Sequence, residues 1–132
     1  MQYLLDTHAF LWATGKSHLL PRKIASVVRD PNNDVFVSAV SFWEIAIKVR
    51  AGKLDIGGNK PDDLTTRAIE MGMTLISLDP QESATMGRLA ENTHFDPFDR
   101  MLIWQAISRK LVLVSKDTSF QRFAADGLEV LW

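Results

Sequence analysis

Short apolar runs punctuate this chain at intervals, and each is bounded by polar or turn-forming residues. A continuous apolar run of about four or five residues is typical of a strand that is buried on both faces of a sheet. The stretches between these runs are long enough to form helices. The pattern predicts five strands, over residues 1–5, 35–38, 74–78, 111–114 and 128–131.

The predicted helices have recognisable ends. Pro21 suits the first turn of a helix, whereas Gly15, Gly52 and Gly72 each follow a helical stretch at the position where helices commonly end. The helices are predicted over residues 7–14, 21–29, 41–51, 61–71, 80–91, 97–109 and 119–125. Short apolar strands that alternate with helices favour a parallel sheet with helices on both faces. We therefore predict an α/β fold: a three-layer α/β/α sandwich with a central, mainly parallel sheet of about five strands, formed by a single domain over residues 1–132.

Four acidic residues lie where such a sheet binds its ligands, beyond the carboxyl ends of its strands or at the start of the next helix. Asp6 directly follows the first strand, and Asp117 follows the fourth strand closely. Asp99 lies in the first turn of the helix over residues 97–109, and Glu44 lies near the start of the helix over residues 41–51. These four residues are the candidate catalytic and metal-binding residues.

Each acid also has a purely structural interpretation. Asp6 and Asp117 could cap the helices that follow them, and Asp99 is well placed on a helix dipole. Ser41 and Glu44 fit a capping box. However, the helix around Glu44 is apolar almost all round, which predicts burial on more than one side, and a buried carboxylate needs a partner or a metal ion.

Clustered carboxylates repel one another, so either their pKa values rise or a divalent cation neutralises them. Oxygen ligands are preferred by Mg²⁺ and Mn²⁺. A cation of this kind can activate water and clamp phosphodiester oxygens. The four acids together therefore favour a Mg²⁺ or Mn²⁺ site, whose chemistry is compatible with phosphodiester hydrolysis.

Composition changes this interpretation little. Fifteen Lys and Arg face sixteen Asp and Glu, a net charge of −1 that does not favour general polyanion binding. Without the four candidate acids, twelve acids face fifteen bases, and the resulting +3 is compatible with a nucleic-acid substrate. Cysteine is absent, which excludes a disulfide framework and a thiolate nucleophile. No apolar run approaches the roughly 20 residues of a membrane span, and no signal peptide is evident, so we expect a cytoplasmic protein without a membrane partner.

Four segments resemble the PIN domain family, and within it the VapC-type toxins of bacterial toxin–antitoxin pairs. The segments are LLDTHAFLW, SAVSFWEIAIKVRAGKL, FDPFDRMLIWQA and LVSKDTSF, and their order and spacing extend the resemblance over essentially the whole chain. Residue by residue, the resemblance implies a metal site formed by Asp6, Glu44, Asp99 and Asp117. It also implies a Mg²⁺- or Mn²⁺-dependent ribonuclease with an RNA substrate, a homodimer, and inhibition by a cognate antitoxin protein. Trp104 stands where the family often has a small residue.

Five further residues are second-tier candidates. The hydroxyls of Thr7 and Ser115 could orient carboxylates or cap locally. Asp96 is a natural N-cap that precedes Asp99. Arg100 and Lys116 could contact phosphate or balance the acids.

Histidine has no required role in this scheme. We expect His8 to be exposed on its helix, and neither His18 nor His94 shows ligand spacing.

Two other functions remain open. One is a PIN-like binding module for RNA or protein that is catalytically silent. The other is a Mg²⁺-binding, receiver-like signalling domain, in which Asp6, Asp79 and Lys116 would supply an acid, a phosphoryl acceptor and a lysine. Such a domain would be expected to have adjacent acids after its first strand, and it leaves Glu44 and Asp99 unexplained.

Large apolar residues exceed what one small core can absorb. Extended apolar surface typically marks a site for a partner protein. The candidates for a dimer face or an antitoxin groove are Phe10, Leu11, Trp12, Phe42 and Trp43.

Overall fold

The computed structural model describes residues 1–132 and shows one sheet of five strands, all parallel. The order across the sheet is β3-β2-β1-β4-β5, so β1 lies in the middle between β2 and β4. The predicted parallel sheet is confirmed, although several strands are shorter than predicted. The strands are β1 Gln2–Leu5, β2 Asp34–Ser38, β3 Thr74–Ile76, β4 Val112–Val114 and β5 Val130–Leu131.

Six α-helices and three 3₁₀ helices connect the strands. The α-helices are α1 Thr7–Gly15, α2 Arg22–Arg29, α3 Ala39–Arg50, α4 Pro61–Glu70, α5 Pro80–Thr85 and α6 Pro97–Arg109. The 3₁₀ helices are Ser17–Leu19, Met86–Arg88 and Thr118–Asp126. None of these helices has the length and apolar character needed to cross a bilayer.

Two apolar cores lie on the two faces of the sheet. Successive side chains of a strand point to opposite faces, and the fully buried Leu4 and Leu5 of β1 accordingly enter different cores. The core around Leu5 includes Phe10 of α1 and Ile45 of α3, whereas the core around Leu4 includes Ile103 of α6. Helices therefore cover both faces, and the predicted three-layer α/β/α sandwich is confirmed.

The start of α3 differs from its prediction. The helix begins at Ala39 rather than at residue 41, because Ser38 is the N-cap and its Oγ accepts a hydrogen bond from the Val40 backbone N–H at 3.0 Å. Ser41 is therefore inside the helix, and the predicted capping box of Ser41 and Glu44 is wrong. The Glu44 carboxylate is consequently free for other partners.

The helix predicted over residues 80–91 is also shorter than expected. It ends at Thr85 and passes through the 3₁₀ helix into a loop over residues 89–96. The carboxylate of Asp126 accepts hydrogen bonds from the backbone N–H groups of Ala90 and Glu91, at 2.8 and 3.2 Å. A contact between residues this distant in sequence leaves no local signal. The resulting loop carries His94 to the edge of the acidic residues described below.

Candidate functional site

The four candidate acids line one cavity of about 520 Å³. Asp6 follows β1 and Asp117 follows β4, and these two strands are neighbours in the sheet. The chain proceeds from β1 toward β2 and β3 on one side, then returns to place β4 and β5 on the other side. The cavity therefore lies at the point where the strand order reverses, which is where sheets of this type bind ligands. Glu44 on α3 and Asp99 on α6 add to its acidic lining, and the second-tier Asp96 lines the cavity as a fifth acid.

Asp6 is buried, with 6% of its surface exposed. Its Oδ1 accepts a hydrogen bond from the Ala9 backbone N–H at 2.8 Å, so Asp6 does cap α1 as its structural interpretation expected. The pKa of Asp6 is raised to about 6, chiefly by burial; hydrogen bonds from Ser115 and Ala9 act to lower it, and the charges of Asp99 and Glu44 act to raise it. Asp6 therefore caps α1 and lines the acidic cavity at the same time.

Asp99 has a similar electrostatic environment. Burial raises the pKa of Asp99 to about 6, the charges of Asp96 and Glu44 act in the same direction, and a hydrogen bond with His94 opposes them. Asp96 is the N-cap of α6, as predicted, and its Oδ1 accepts a hydrogen bond from the Asp99 backbone N–H at 3.0 Å. Two carboxyl groups on separate elements thus resist ionisation.

Glu44 is buried and has two partners. Thr7 donates its hydroxyl hydrogen bond to Glu44 Oε1 at 2.6 Å, so Thr7 orients a carboxylate as one of its two interpretations expected. Lys48, one turn further along α3, forms an ion pair with Glu44 Oε2, and this hydrogen bond raises the pKa of the Lys48 amine. The buried carboxylate therefore has a lysine as its counter-charge, and Lys48 lines the cavity.

Asp117 is held in place by its own helix. Its Oδ1 accepts hydrogen bonds from the backbone N–H of Ser119 at 2.9 Å and from the Ser119 hydroxyl at 2.6 Å. Partial burial acts to raise the pKa of Asp117, but these hydrogen bonds outweigh it and the pKa is lowered. Ser115 lies between two of the acids: its Oγ accepts a hydrogen bond from the Asp117 backbone N–H at 3.1 Å, and its hydroxyl acts to lower the pKa of Asp6.

The two cationic candidates lie in different places. Lys116 lines the cavity, and its Nζ lies over the Trp12 ring, 4.7 Å from the ring centroid. Arg100 does not line the cavity. Its guanidinium donates to the backbone carbonyls of Glu91 at 2.8 Å and His94 at 3.0 Å, so it anchors the loop over residues 89–96.

Two residues near the acids were missed by sequence reasoning. Lys48 was not among the candidates, although its i,i+4 spacing from Glu44 was a usable signal. His94 showed no ligand spacing, yet its Nε2 is 3.0 Å from Asp99 Oδ2. Nothing in the local sequence predicts the second contact of this ring, which joins it to Ser119 twenty-five positions away.

The cavity suits a hard divalent cation in its donor chemistry. Its acidic donors are all oxygen, and burial raises the pKa values of Asp6 and Asp99 to about 6, so a nearby positive charge would favour their ionised forms. No three or more acidic or histidine side chains are arranged as a closed coordination sphere. The residues therefore fit a cation by chemistry and location, and binding would require their side chains to adjust.

The chain matches the family model of the PIN domain over residues 3–126. It belongs to the PIN domain family. PIN domains are generally nucleases that use divalent metal ions. The four acids of this PIN domain thus surround a cavity in a fold whose members generally cleave nucleic acids.

Solved structures with the same fold come from several bacteria. A Rickettsia felis VapBC2 structure, bound to a DNA fragment from the promoter, has a TM-score of 0.69 and 17% identity, covering 99% of this chain and 98% of the other. VapBC-1 from nontypeable Haemophilus influenzae has a TM-score of 0.69 and 21% identity, covering 99% and 97%. FitAcB from Neisseria gonorrhoeae has a TM-score of 0.61 and 18% identity, covering 98% and 96%. No curated protein matches the chain in sequence.

A second, larger cavity of about 880 Å³ opens beside the acids of this PIN domain. It runs between α1 and α4 and is also lined by residues from the loop after α3. The two cavities share His8, Leu11 and Leu54, so the groove leads directly into the acidic cavity. His8 is exposed, as predicted.

The predicted partner surface is only partly correct. Phe10 is fully buried and belongs to the core, so its assignment to a partner surface is wrong. Trp43 on α3 is 58% exposed and packs edge-to-face on Phe98, with ring centroids 5.2 Å apart. Ile47 is exposed beside it, on the face of α3 that is turned away from both cores. The expected burial of α3 on more than one side is confirmed in part, because Val40 enters the core around Leu4 while Ile45 enters the core around Leu5.

Asp79 lies outside the acidic cavity. It caps α5, as predicted, by accepting a hydrogen bond from the Glu82 backbone N–H at 2.7 Å. Asp79, the phosphoryl acceptor of the receiver-like alternative, is thus not beside Asp6.

Proposed function

We propose that this PIN domain is a metal-dependent endoribonuclease that acts as the toxin of a toxin–antitoxin pair. The observation that carries the proposal is the convergence of Asp6, Glu44, Asp99 and Asp117 on one cavity, from four separate elements of the chain. Two of them have pKa values raised to about 6, chiefly by burial. The nuclease character of the family supports the same conclusion.

In this proposal Asp6, Asp99 and Asp117 would hold a Mg²⁺ or Mn²⁺ ion. The bound ion supplies charge stabilisation at the phosphate and a more acidic water molecule. Glu44 orients the attacking water and accepts its proton, because each carboxylate oxygen retains a lone pair beyond its bond to Thr7 or Lys48. The hydrolysis is direct and forms no covalent enzyme intermediate.

The second-tier residues support this chemistry in different ways. Ser115 accepts a hydrogen bond from the Asp117 backbone N–H, and its hydroxyl favours the ionised form of Asp6. Asp96 caps the helix that carries Asp99. Lys116 is an exposed cation at the cavity, placed to bind a backbone phosphate of RNA.

We also propose two protein partners. Relatives of similar structure include VapBC complexes, and a toxin–antitoxin complex from Klebsiella pneumoniae. A cognate antitoxin would have access to the acids along the groove between α1 and α4. The exposed apolar face with Trp43 and Ile47 supports a homodimer. We place the chain and its RNA substrate in the cytoplasm.

Cleavage of total RNA by the purified, antitoxin-free protein tests the activity. We expect discrete fragments with Mg²⁺ or Mn²⁺ and none with excess EDTA, because the cavity needs a cation to bind phosphate beside four acids. The Asp117→Asn variant should lose most of the activity. Asp62→Asn changes an exposed acid of α4 that lines neither cavity, and it should cleave like the wild type.

Fragments that persist in EDTA would contradict the metal requirement. A folded protein, judged by circular dichroism, that cleaves no RNA with either metal would instead favour a catalytically silent binding module.

Thr7→Val is expected to reduce RNA cleavage about tenfold while leaving the fold intact. Valine has the shape of threonine but cannot donate the hydrogen bond that orients Glu44 Oε1. Thr14→Val is a matched control on the same helix, because the Thr14 hydroxyl donates only to the backbone carbonyls of Phe10 and Leu11. Initial cleavage rates for the two variants check the prediction, and equal rates would show that the Thr7 hydroxyl does not matter.

A further inference from the structure

We propose that His94 is a positioning residue that joins Asp99 to Asp117 and sets both carboxylates for a divalent cation. This inference rests on the proposed function, since it concerns how the same acidic cavity is organised. His94 is not itself assigned as a metal ligand or a catalytic residue. Its role follows from its two ring nitrogens, of which one contacts Asp99 directly and the other reaches Asp117 through the Ser119 hydroxyl.

The contacts of the imidazole form a continuous chain across the cavity wall. Nε2 of His94 lies 3.0 Å from Asp99 Oδ2, and Nδ1 lies 3.3 Å from Ser119 Oγ. Ser119 in turn donates its hydroxyl hydrogen bond to Asp117 Oδ1 at 2.6 Å. One ring therefore links the acid at the start of α6 to the acid that follows β4.

The ring is held so that both nitrogens keep these directions. Its centroid is 5.5 Å from that of Phe120 and 6.1 Å from that of Phe123, and both contacts are edge-to-face. Only 15% of the His94 side chain is exposed. A ring fixed by two buried aromatic residues cannot rotate to follow a mobile carboxylate, so the carboxylates must adapt to it.

The backbone of His94 is anchored as well. Arg100 of α6 donates to the His94 carbonyl oxygen at 3.0 Å and to the Glu91 carbonyl oxygen at 2.8 Å. Asp126 binds the N–H groups of Ala90 and Glu91 at the beginning of the same loop. Residues from α6 and from the 3₁₀ helix Thr118–Asp126 thus hold the loop, and these are the same two elements whose acids His94 joins.

Removal of the imidazole would release one oxygen of Asp99 and leave Ser119 without its histidine partner. Asp99 is repelled by Asp96 and Glu44, so without His94 it would turn away from them. Partners that orient ligands typically contribute about 10- to 100-fold to metal affinity. We therefore expect the main consequence to be weaker cation binding, with little change in the fold.

The test is the Mn²⁺ dissociation constant, measured by isothermal titration calorimetry on the full chain. We expect His94→Ala to weaken Mn²⁺ binding by about tenfold or more. His94→Gln places an amide near the position of Nε2, so it should recover most of the affinity through Asp99. His18→Ala removes an exposed histidine outside both cavities and should bind Mn²⁺ like the wild type.

If His94→Ala does not fold, Ser119→Ala decides the question. It removes only the hydroxyl that connects His94 to Asp117, and it should weaken Mn²⁺ binding measurably. Wild-type affinity in a folded His94→Ala or Ser119→Ala variant would overturn the inference. The inference would also be overturned if a folded His94→Gln variant bound Mn²⁺ as weakly as the alanine variant does. It would likewise be overturned if the wild-type protein bound no Mn²⁺. A wild type that binds Mn²⁺ but leaves RNA intact would refute the proposed nuclease alone, and the affinities would still decide the role of His94.

Discussion

Replacement of Asp6 by asparagine is expected to abolish RNA cleavage and, at the same time, to stabilise the metal-free protein. Asparagine has the same shape and caps a helix as well as aspartate does, so the hydrogen bond with the Ala9 N–H can be kept. The negative charge that would bind the cation is lost. We expect cleavage to fall by about 100- to 1,000-fold, a loss typical of removing one charge-stabilising group.

The stability gain follows from the direction of the pKa shift. Burial raises the pKa of Asp6 from 3.8 to about 6, so the folded state holds this proton more tightly than the unfolded state does. Wild-type stability is therefore lost as the pH rises through about 4 to 6, and the full penalty applies at pH 7. Asparagine carries no such penalty, so the variant should be about 1 to 3 kcal/mol more stable at pH 7.5.

Urea unfolding in EDTA at pH 7.5 and pH 4.5 measures this difference, which should shrink at the lower pH. Added Mn²⁺ should stabilise the wild type more than the variant, since a ligand stabilises the state that binds it. An Asp6→Asn protein that cleaves RNA fully, or that is less stable than the wild type in EDTA at pH 7.5, would contradict the assigned role and environment of Asp6.

Arg109→Met is expected to destabilise the protein by about 3 kcal/mol at pH 7. Arg109 donates to Glu82 through Nε at 2.7 Å and through a second nitrogen at 2.8 Å, and it also bonds the Ser77 carbonyl oxygen. The Glu82 side chain is only 7% exposed. Methionine preserves much of the packing of the arginine stem but leaves a buried carboxylate without its counter-charge.

The destabilisation caused by Arg109→Met should be smaller at low pH. The hydrogen bond from Arg109 lowers the pKa of Glu82 to about 2, from an ordinary value of 4.5. The stabilisation is therefore present above pH 4.5 and is lost as the pH falls toward 2. The difference between wild type and Arg109→Met should narrow over the same range in chemical denaturation.

Two further variants sharpen this experiment. Glu82→Gln combined with Arg109→Met should recover part of the stability, because the unpaired buried charge is removed as well. Arg88→Met changes an exposed arginine and should have little effect. A loss that is equal at pH 7 and pH 3 would show that packing, rather than the ion pair, accounts for the effect of Arg109.

The sequence was sufficient where local chemistry decides the structure. Helix α6 begins at Pro97 and ends at Arg109 as predicted, because Asp96 caps it and proline fixes its first turn. The alternation of apolar strands and helices predicted a parallel sheet, and acids after the first and fourth strands line one cavity in that sheet. The family then places these observations in a nuclease fold.

Local sequence was insufficient to predict a helix end or a side-chain position that depends on a residue distant in the chain. Ser38 and Ser41 both precede suitable helical residues, and only the observed N-cap geometry selects Ser38. Helix α5 is shorter than predicted, and the loop over residues 89–96 that comes after it is held by Asp126. That residue lies 36 positions further along the chain than Ala90. His94 gains its position from two elements that the sequence alone cannot bring together.

The central position of β1 has a consequence for the order of assembly. β1 and β2 pair early in the chain, but β4, which completes the other side of β1, comes more than 70 residues later. A partly folded chain built on residues 1–76 contains Asp6 and Glu44 but neither Asp99 nor Asp117. Contacts this distant in sequence form slowly because loop closure must precede them. We therefore expect truncated or incompletely folded copies to lack half of the acidic cavity, so that the four acids come together only in the finished fold.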